Sequence, residues 1–305
     1  MAKTGTVIQS TGKWYKVKSD QEFLNCRLPG KFRLQKQNTT NPLAVGDLVK
    51  FETGSDGIGN ITEILPRKNY IPRISARHQN TEQLLAANVD HGWIVQSVKK
   101  PRIKTGFIDR FLVTCEAYEI DAGIIFSKSD LAGKKEKGLT DDLSGIYNEL
   151  GYPCIHTSVK DRESMKSLHE ALFDKLNVLV GQSGVGKTSL INALDPELNL
   201  PVGEISKSTE KGKHTTTFAR LVSLSGNSLI IDTPGIREFG LVNIEPAELS
   251  LFFPEMREPR ENCRFYNCTH SHEPGCGVVQ AFEKGDIHPE RYQSYLSMLN
   301  EVSEK

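Results

Sequence analysis

A glycine-rich segment in the middle of the chain has the residue types and spacing of a phosphate-binding loop. From position 181 it reads Gly-Gln-Ser-Gly-Val-Gly-Lys-Thr, which fits G-x-x-x-x-G-K-[ST] at every position. Glycines allow backbone N–H groups to turn towards phosphate oxygens without a Cβ clash. An apolar run precedes the segment and a helical pattern follows it. We therefore predict a strand, a triphosphate-binding loop and a helix whose N-terminus faces the phosphates.

This phosphate loop is expected to contact the nucleotide through nine consecutive residues. They are Gly181, Gln182, Ser183, Gly184, Val185, Gly186, Lys187, Thr188 and Ser189. Lys187 is placed to reach the β and γ phosphates. The Thr188 hydroxyl is a predicted ligand of the Mg²⁺ ion that accompanies a nucleoside triphosphate.

A second motif, Asp-Thr-Pro-Gly, begins at Asp232 directly after the apolar run 228–231. An aspartate at a strand end can hold Mg²⁺ through water, and Gly235 gives a backbone N–H room to approach a γ-phosphate. The motif is a weak signal alone. Its position about forty residues after the phosphate loop makes it a strong indication of a segment that responds to the nucleotide.

The segment between these two motifs offers another ligand for Mg²⁺. Residues 211–217 read Lys-Gly-Lys-His-Thr-Thr-Thr. A threonine here, assigned to Thr216, can complete the coordination of Mg²⁺ when triphosphate is bound. The alternative is a polar loop without a ligand.

A polar segment after the apolar run 122–126 is suited to bind the base. It comprises Ser127, Lys128, Ser129 and Asp130. The Asp130 carboxylate can accept hydrogen bonds from N1 and N2 of guanine, which adenine cannot supply, and a buried carboxylate without donors is unfavourable. Residues 157–160, Thr-Ser-Val-Lys, place Ser158 in a second base-side loop. The expected nucleotides are therefore GTP and GDP.

Three cysteines and a histidine lie within fourteen residues, at Cys263, Cys268, His270 and Cys276. Three thiolates and one imidazole make a closed tetrahedral set that is typical of a structural Zn²⁺ site, and thiolates exclude Mg²⁺ and Ca²⁺. His272 is close enough in sequence to replace His270. The alternative is a loop of free cysteines. The three remaining cysteines are scattered and are expected to be small buried residues.

The nucleotide motifs need a scaffold, and residues 71–245 alternate strand and helix patterns. Strands are predicted at 92–98, 122–126, 152–157, 177–180 and 228–231, and helices at 107–119, 143–150 and 189–194. Such alternation indicates a parallel sheet covered by helices on both faces, with ligands at the carboxyl edge of the strands.

The first 70 residues show short strand patterns separated by turn residues. Strands are predicted at 6–10, 14–17, 23–28, 48–52 and 60–65. Five short strands suit a small closed barrel of the OB-fold type. The predicted architecture is therefore multidomain: an all-β OB-fold barrel at 1–70, a central α/β P-loop domain at 71–245, and a zinc-binding helical module at 246–305.

The N-terminal third is basic, although the whole chain is neutral. Residues 1–110 contain 18 lysines and arginines against 9 acidic residues. The barrel also mixes aromatic and basic side chains at Lys13, Trp14, Tyr15, Lys16 and Lys18, which suits base stacking beside phosphate contacts. These features favour RNA as a partner. The alternatives are ordinary surface charge, and a Trp14 or Tyr15 that packs inside the barrel.

The composition favours a globular protein outside membranes. Hydrophobic residues make up 37% of the chain and charged residues 25%, and no apolar run approaches the roughly 18 residues that a membrane-spanning helix needs. No apolar leader follows Met1. We therefore expect a cytoplasmic location and no membrane partner. The residues leave the oligomeric state open, and a monomer is the expectation.

The order of the motifs is rotated relative to ordinary small GTPases, because the base-reading loops come first. A rotated GTPase with a β-barrel in front and a Cys/His cluster behind resembles the ribosome small subunit-dependent GTPase A family (RsgA, also called YjeQ) over nearly the whole chain. The resemblance implies a circularly permuted GTPase that binds the small (30S) ribosomal subunit and its rRNA. It implies GTP hydrolysis to GDP and phosphate, stimulated by the ribosome, in late subunit maturation. It also favours His270 as the fourth zinc ligand.

Two positions depart from common GTPase motifs. Ser127 replaces the Asn of the family's N-K-x-D motif, and we expect weaker guanine affinity from this change. Ile236 stands where many GTPases have a glutamine that orients water. The resemblance implies that His214 orients the attacking water instead, with slow turnover until a partner binds. Two alternatives stay open: a nucleotide-regulated RNA-binding module with little hydrolysis, which Ile236 favours, and an ATPase, which Ser127 permits.

Overall fold

A computed structural model gives the fold of most of the chain. The residues that it describes are 2–11, 14–20, 22–30, 32, 42–74, 82–202, 219–224, 227–233 and 239–304. None of the helices in these ranges is long and apolar enough to cross a membrane.

The N-terminal strands form a closed five-stranded barrel. They are β1 (Lys3–Ser10), β2 (Trp14–Ser19), β3 (Glu22–Arg27), β4 (Leu48–Thr53) and β5 (Gly59–Ile64). Around the barrel the order is β1-β2-β3-β5-β4, and β4 pairs back onto β1, which closes the sheet. All neighbours are antiparallel except β3 and β5. Alternate side chains such as Tyr15, Val17 and Phe51 fill the interior. The predicted OB-type barrel is confirmed.

A hairpin follows the barrel, and a six-stranded sheet follows the hairpin. The hairpin strands are β6 (Tyr70–Ile74) and β7 (Glu82–Ala87). The sheet strands are β8 (His91–Ser97), β9 (Asp121–Ser127), β10 (Cys154–Thr157), β11 (Leu176–Val180), β12 (Arg220–Ser223) and β13 (Leu229–Asp232). Their order is β10-β9-β8-β11-β13-β12, and β12 alone among the described strands of this sheet runs antiparallel to its neighbour.

Helices cover both faces of this sheet, as the alternating pattern predicted. They are α1 (Thr105–Ala117), α2 (Lys134–Glu149), α3 (Arg162–Leu172) and α4 (Lys187–Leu194). Helices α1 and α2 pack on one face through side chains such as Phe111 and Tyr147. Helices α3 and α4 pack on the other face through side chains such as Leu172 and Ile191. Both faces are buried, so the strands have continuous apolar sequences.

The strand ends lie in register at one edge of the sheet. Ser97 pairs with Ser127, and Ser127 pairs with Thr157, so β8, β9 and β10 end side by side. Asp232 ends β13 opposite Leu179 of β11, one residue before β11 ends. The phosphate loop, the base-side loops and the Asp232 motif therefore leave the same edge of the sheet, where α/β proteins bind ligands.

The barrel and the central sheet are joined by hydrogen-bonded strands. Gln9 of β1 pairs with Arg220 of β12 in antiparallel register. Eleven strands consequently form one continuous sheet that runs from β10 through the barrel strands.

A helical module ends the chain and packs against α1. Its helices are α5 (Pro254–Arg257), α6 (Gly277–Lys284) and α7 (Pro289–Ser303). Arg291 of α7 is buried and bonds to Asp109 of α1 at 2.6 Å and to Glu255 of α5 at 2.6 Å. The Tyr147 hydroxyl also donates to Asp109, at 2.8 Å. This network fixes the module to the central domain.

Candidate functional site

The phosphate loop begins where β11 ends and requires glycine at two positions. Gly181 lies so close to the neighbouring strand that a Cβ would stand 2.5 Å from the carbonyl oxygen of Val95. Gly186 has a φ of +100° and caps the N-terminus of α4. A residue with a side chain would be strained in that backbone conformation. The loop geometry thus explains both glycines of the motif.

Lys187 is the first residue of α4, and its side chain folds back over the loop. Only 7% of the residue is exposed, and Nζ donates to the carbonyls of Gly181 at 2.7 Å and Gln182 at 3.3 Å. Burial lowers the pKa of Lys187 to about 8, and the nearby Asp232 carboxylate opposes that shift. An ammonium in this position can bind phosphate oxygens without a large movement. Thr188 follows in the first turn and is half-buried.

Asp232 is a carboxylate buried at the end of β13. It is 0% exposed, and neither of its oxygens has a hydrogen-bond partner within the described chain. Burial raises the pKa of Asp232, whereas the charges of Lys187 and Arg220 lower it. The Arg220 guanidinium lies close by, with Nη2 3.7 Å from Oδ2. Carboxylate oxygens without donors are suited to the water shell of Mg²⁺, so the residues present fit that ion.

The base-side loop is connected to the phosphate loop through Ser127. This serine is buried, and its Oγ lies 2.5 Å from the Val185 carbonyl and 3.1 Å from the Gln96 carbonyl. The single hydroxyl proton can serve one of them at a time, and the shorter contact is the stronger bond. Serine therefore makes a contact with the phosphate loop at the position where the family motif has asparagine.

Lys128 makes a second connection between the two loops. It adopts a left-handed backbone with φ of 60°. Its Nζ donates to the carbonyl of Gly184 at 2.5 Å and to that of Lys100 at 3.2 Å. Burial lowers the pKa of Lys128, and the Asp130 charge opposes that effect. Ser127 and Lys128 together hold the base side and the phosphate side of the site in one arrangement.

Asp130 is oriented by two donors from the neighbouring loop. Its Oδ1 accepts from Ser158 Oγ at 2.7 Å, and its Oδ2 accepts from Lys160 Nζ at 2.8 Å. The bonds from Lys160 and then Ser158 lower the pKa of Asp130, so the carboxylate is ionised at neutral pH. Each oxygen keeps a further lone pair, which leaves room for two N–H donors of a base. Lys160 was not among the predicted site residues. Ser129 lies beside Asp130 in the 3₁₀ turn Ser129–Leu131.

Several predicted residues lie outside the described part of the chain. They are His214, Thr216, Gly235 and Ile236. The proposed roles of these residues stay predictions. The structure does describe the remaining phosphate-loop residues. Gln182 and Ser183 are half-buried in the loop, and Ser189 is half-buried in the first turn of α4.

The four predicted metal ligands lie together. The ligand atoms of Cys263, Cys268, His270 and Cys276 all lie within 4.8 Å of one another. Cys263 Sγ is 3.8 Å from Cys276 Sγ and 3.4 Å from His270 Nδ1, and Cys276 Sγ is 3.5 Å from that nitrogen. A tetrahedron with bonds of about 2.3 Å to sulfur and 2.0 Å to nitrogen has edges of about 3.8 Å and 3.5 Å. The cluster can hold a metal ion, and the separations among Cys263, His270 and Cys276 match these edges.

Groups around the cluster support it as a ligand set. Backbone N–H groups donate to two of the sulfurs, from Gly277 to Cys263 at 3.3 Å and from Val279 to Cys276 at 3.4 Å. The Ser250 hydroxyl lies 3.2 Å from His270 Nε2, which leaves Nδ1 for a metal. Burial lowers the pKa of His270 and thus favours the neutral ring that binds metals.

His272 lies outside this cluster. It is exposed, and its Nδ1 is 2.8 Å from the Ser271 hydroxyl.

Burial raises the pKa of the Cys268 thiol to about 12 and also raises that of Cys276. Deprotonation of these buried thiols therefore needs a compensating cation.

The outer face of the barrel presents aromatic side chains that contact cations. Trp14 is 39% exposed, with the Arg27 guanidinium 4.7 Å from its ring. Phe23 is 58% exposed, with Lys16 Nζ 5.2 Å from its ring. Tyr15 is fully buried because strand alternation turns it into the barrel, so the alternative that this residue packs inside is the one observed. Lys13 lies outside the described residues.

Comparison with known families gives matches along most of the chain. Residues 64–242 match the RsgA GTPase family, and residues 4–61 match the RsgA N-terminal domain. The small ribosomal subunit biogenesis GTPase RsgA of Flavobacterium johnsoniae is 44% identical over 302 residues, covering 97% of this chain and 92% of the relative. The corresponding RsgA 2 of Bacteroides thetaiotaomicron is 43% identical, covering 98% and 97%.

Solved structures agree with these sequence matches. YjeQ from Thermotoga maritima superposes with a TM-score of 0.78 and 34% identity over the whole of both chains. YloQ, described as a circularly permuted GTPase, gives a TM-score of 0.73 and 31% identity over 100% of this chain and 96% of that one. The predicted resemblance and the rotated order of the nucleotide motifs are confirmed.

Proposed function

The chain belongs to the RsgA family of GTPases, and on this premise we propose that it hydrolyses GTP to GDP and phosphate in the biogenesis of the small ribosomal subunit. The observation that carries the proposal is the pair of buried opposite charges, Lys187 and Asp232, at the carboxyl edge of the sheet. Burial of either charge without a partner is unfavourable. A magnesium-bound triphosphate would supply anionic oxygens for Lys187 and a cation for Asp232.

In the proposed reaction the chain positions the triphosphate and water attacks its γ-phosphate. Lys187 and the phosphate-loop N–H groups would neutralise the charge that develops on the phosphate oxygens. Thr188, Thr216 and Asp232 would hold Mg²⁺, which would supply positive charge to offset that of the phosphates. We propose His214 as the residue that orients water, since Ile236 has no polar group for that task. Gly235 would contact the γ-phosphate and respond to its loss.

Guanine selectivity is proposed to come from Asp130, as oriented by Ser158 and Lys160. The ionised carboxylate suits the N1 and N2 hydrogens of guanine, and adenine has no N–H at either position to offer its free lone pairs. The contact of Ser127 with Val185 supports a site that works without the usual asparagine. Both base-side loops would therefore favour GTP over ATP.

The metal cluster is proposed to hold one structural Zn²⁺, which takes no part in hydrolysis. Its ligands close the coordination sphere, and the ion would fix the loops between α5 and α6. We further propose domain limits of 1–70, 71–245 and 246–305, with a monomer in the cytoplasm as the working form.

RNA contact is proposed for the barrel face that carries Trp14 and Phe23. Each ring is exposed and lies next to a cation, a combination that suits unstacked bases and phosphates of rRNA. The partner would be the small ribosomal subunit named in the relatives' descriptions.

Phosphate release tests the proposed function. We expect hydrolysis of GTP and not of ATP, with strong stimulation by purified small ribosomal subunits. Asp130→Asn should transfer the preference from GTP to xanthosine triphosphate, because xanthine offers an acceptor where guanine has its 2-amino donor. His214→Ala should bind GTP and lose the stimulated rate. Equal binding of GTP and ATP would exclude the guanine assignment, and an unchanged rate in His214→Ala would exclude its role.

A further inference from the structure

The loop that follows β8 carries four exposed cations beside the nucleotide site. Residues 98–104 read Val-Lys-Lys-Pro-Arg-Ile-Lys, and Lys99, Lys100, Arg102 and Lys104 are all exposed. The loop leaves the carboxyl edge of the sheet, because Val98 N donates to the Ser127 carbonyl at 3.1 Å. We call these four side chains the basic loop.

The N-terminus of α2 adds further positive charge at the same edge. Lys134 and Lys135 are exposed and begin α2, which starts shortly after the base-side loop. Lys128 connects the two regions, since its Nζ donates to the Lys100 carbonyl at 3.2 Å. Cations from two successive strand ends therefore face solvent next to the base-side loop.

Some exposed lysines elsewhere in the molecule have acidic partners. Pairs such as Lys50–Glu63 and Lys166–Glu170 bring nitrogen and carboxylate oxygen within 4 Å. No carboxylate of the described residues lies that close to a basic-loop side chain. The nearby acids already have donors: Asp130 accepts from Ser158 and Lys160, and Glu136 accepts from Gly133 N at 3.1 Å.

We propose that the basic loop binds the phosphate backbone of RNA, so that the nucleotide edge of the central domain forms an RNA contact separate from the barrel face. The inference rests on the proposed function and extends it. Six residues span at most about 20 Å when extended, which is enough to follow several phosphates of one strand. Four exposed cations over that length match a polyanion with regularly spaced charges.

RNA suits this surface better than a lipid surface does. Membrane-surface binding needs an apolar face beside the cations. Ile103, which lies between Arg102 and Lys104 of the basic loop, is half-buried and packs against the core. It is therefore not available to insert into lipid. The barrel face with Trp14 and Arg27 is a second site suited to nucleic acid in the same chain.

The test uses the full chain in two variants with the same change in net charge. One replaces the basic loop (Lys99→Gln, Lys100→Gln, Arg102→Gln, Lys104→Gln). The control replaces four exposed cations elsewhere (Arg162→Gln, Lys166→Gln, Lys175→Gln, Lys284→Gln). Binding to purified small ribosomal subunits is measured between about 50 and 200 mM salt, together with GTP binding and binding to anionic phospholipid vesicles.

The basic-loop variant should bind subunits about 10- to 100-fold more weakly than wild type, with a salt slope that is smaller by about 3. It should bind GTP normally, and the control should match wild type in all assays. Equal losses in both variants, unchanged subunit binding in the basic-loop variant, or a loss confined to vesicles would each overturn the inference. If wild type itself failed to bind subunits, the proposed function would fail first, and the two failures are thus distinguishable.

Discussion

Arg220 stands directly across from Asp232 in the antiparallel pair of β12 and β13, with its guanidinium 3.7 Å from the buried carboxylate. The same arginine pairs on its other side with Gln9 of the barrel. One residue thus lies between the first strand of the barrel and the aspartate proposed to hold Mg²⁺. Arg220 belongs to none of the predicted sequence motifs. Its proximity to Asp232 became apparent only from the strand pairing.

Replacing Arg220 should shift the pH dependence of magnesium-dependent nucleotide binding. Burial raises the pKa of Asp232, and the Arg220 charge opposes that rise. In Arg220→Gln the pKa of Asp232 should rise further, so the ionised form that binds Mg²⁺ is lost at a higher pH. We expect the acid limb of GTP binding to move up by about one pH unit. Titration with a fluorescent GTP analogue from about pH 5 to 8 measures it.

The matched control is Arg162→Gln, which removes an exposed arginine at the start of α3. Its acid limb should coincide with that of wild type. An Arg220→Gln profile that superposes on wild type would show that this arginine leaves Asp232 unaffected.

GTP binding should take up protons because Lys187 is partly neutral in the nucleotide-free protein. Burial lowers its pKa to about 8, and phosphates would restore the charged form. At pH 8 we expect uptake of about half a proton per GTP, and at pH 7 about a tenth. Calorimetry of magnesium-bound GTP in buffers of different ionisation enthalpy gives the number. A value of zero at both pH values would contradict the neutral lysine.

The same residue sets a stability trend for the nucleotide-free protein. Because the folded pKa of Lys187 is lower than the unfolded one, the unfolded chain binds more protons between the two values. The contribution of Lys187 therefore increases the free energy of unfolding as pH rises above about 8. In Lys187→Met this part of the pH dependence should disappear. Urea denaturation of both proteins over that pH range measures the difference.

Removing Arg291 should destabilise the attachment of the C-terminal module strongly. Arg291→Met leaves Asp109 and Glu255 buried without their cation, at about 3–5 kcal/mol of unfolding free energy. Combining it with Asp109→Asn and Glu255→Gln removes the uncompensated charges and should restore most of the loss. Urea denaturation of wild type, the single variant and the triple variant measures their free energies of unfolding.

An exposed arginine on the same interface provides the comparison for Arg291. Arg257 bonds to Glu116 of α1, and both side chains reach solvent. Arg257→Met should cost less than about 1 kcal/mol. Similar losses of unfolding free energy in Arg257→Met and Arg291→Met would contradict the idea that burial makes the Arg291 ion pairs important for stability.

The C-terminal cluster should contain one zinc per chain, and chelation should unfold residues 260–280 first. Cys276→Ser removes a ligand and should release the metal, because the buried thiols need the cation for deprotonation. Metal analysis and hydrogen exchange follow both effects. Cys154→Ser changes a cysteine outside the cluster and should keep the metal. Unchanged exchange protection after full chelation would argue against a structural ion.

Motifs with fixed spacing could be predicted from the sequence, because their chemistry is local. The phosphate loop, the Asp232 motif and the cysteine cluster each combine a residue pattern with a flanking element. The apolar strands of the central sheet could also be predicted, since strands buried on both faces are continuous apolar runs. Helix α2 was predicted at 143–150 and in fact begins at Lys134, because its first turns are polar and exposed.

Features that depend on partners far apart in the chain could not be predicted. Strand β12 is only four residues long and is defined by pairing with β13 and β1. The bonds from Lys160 to Asp130 and from Ser127 to Val185 join residues 30 and 58 positions apart. The contact between the two loops at Ser127 therefore became visible only in three dimensions.

The pairing of Gln9 with Arg220 also determines where the central sheet is exposed. Without the barrel, β12 would be an open edge strand, with N–H and C=O groups free to recruit another chain. We therefore expect the barrel to protect β12 from pairing with another chain. A GTPase domain expressed without its N-terminal strands should gain a tendency to aggregate through β12, whatever happens to its nucleotide affinity.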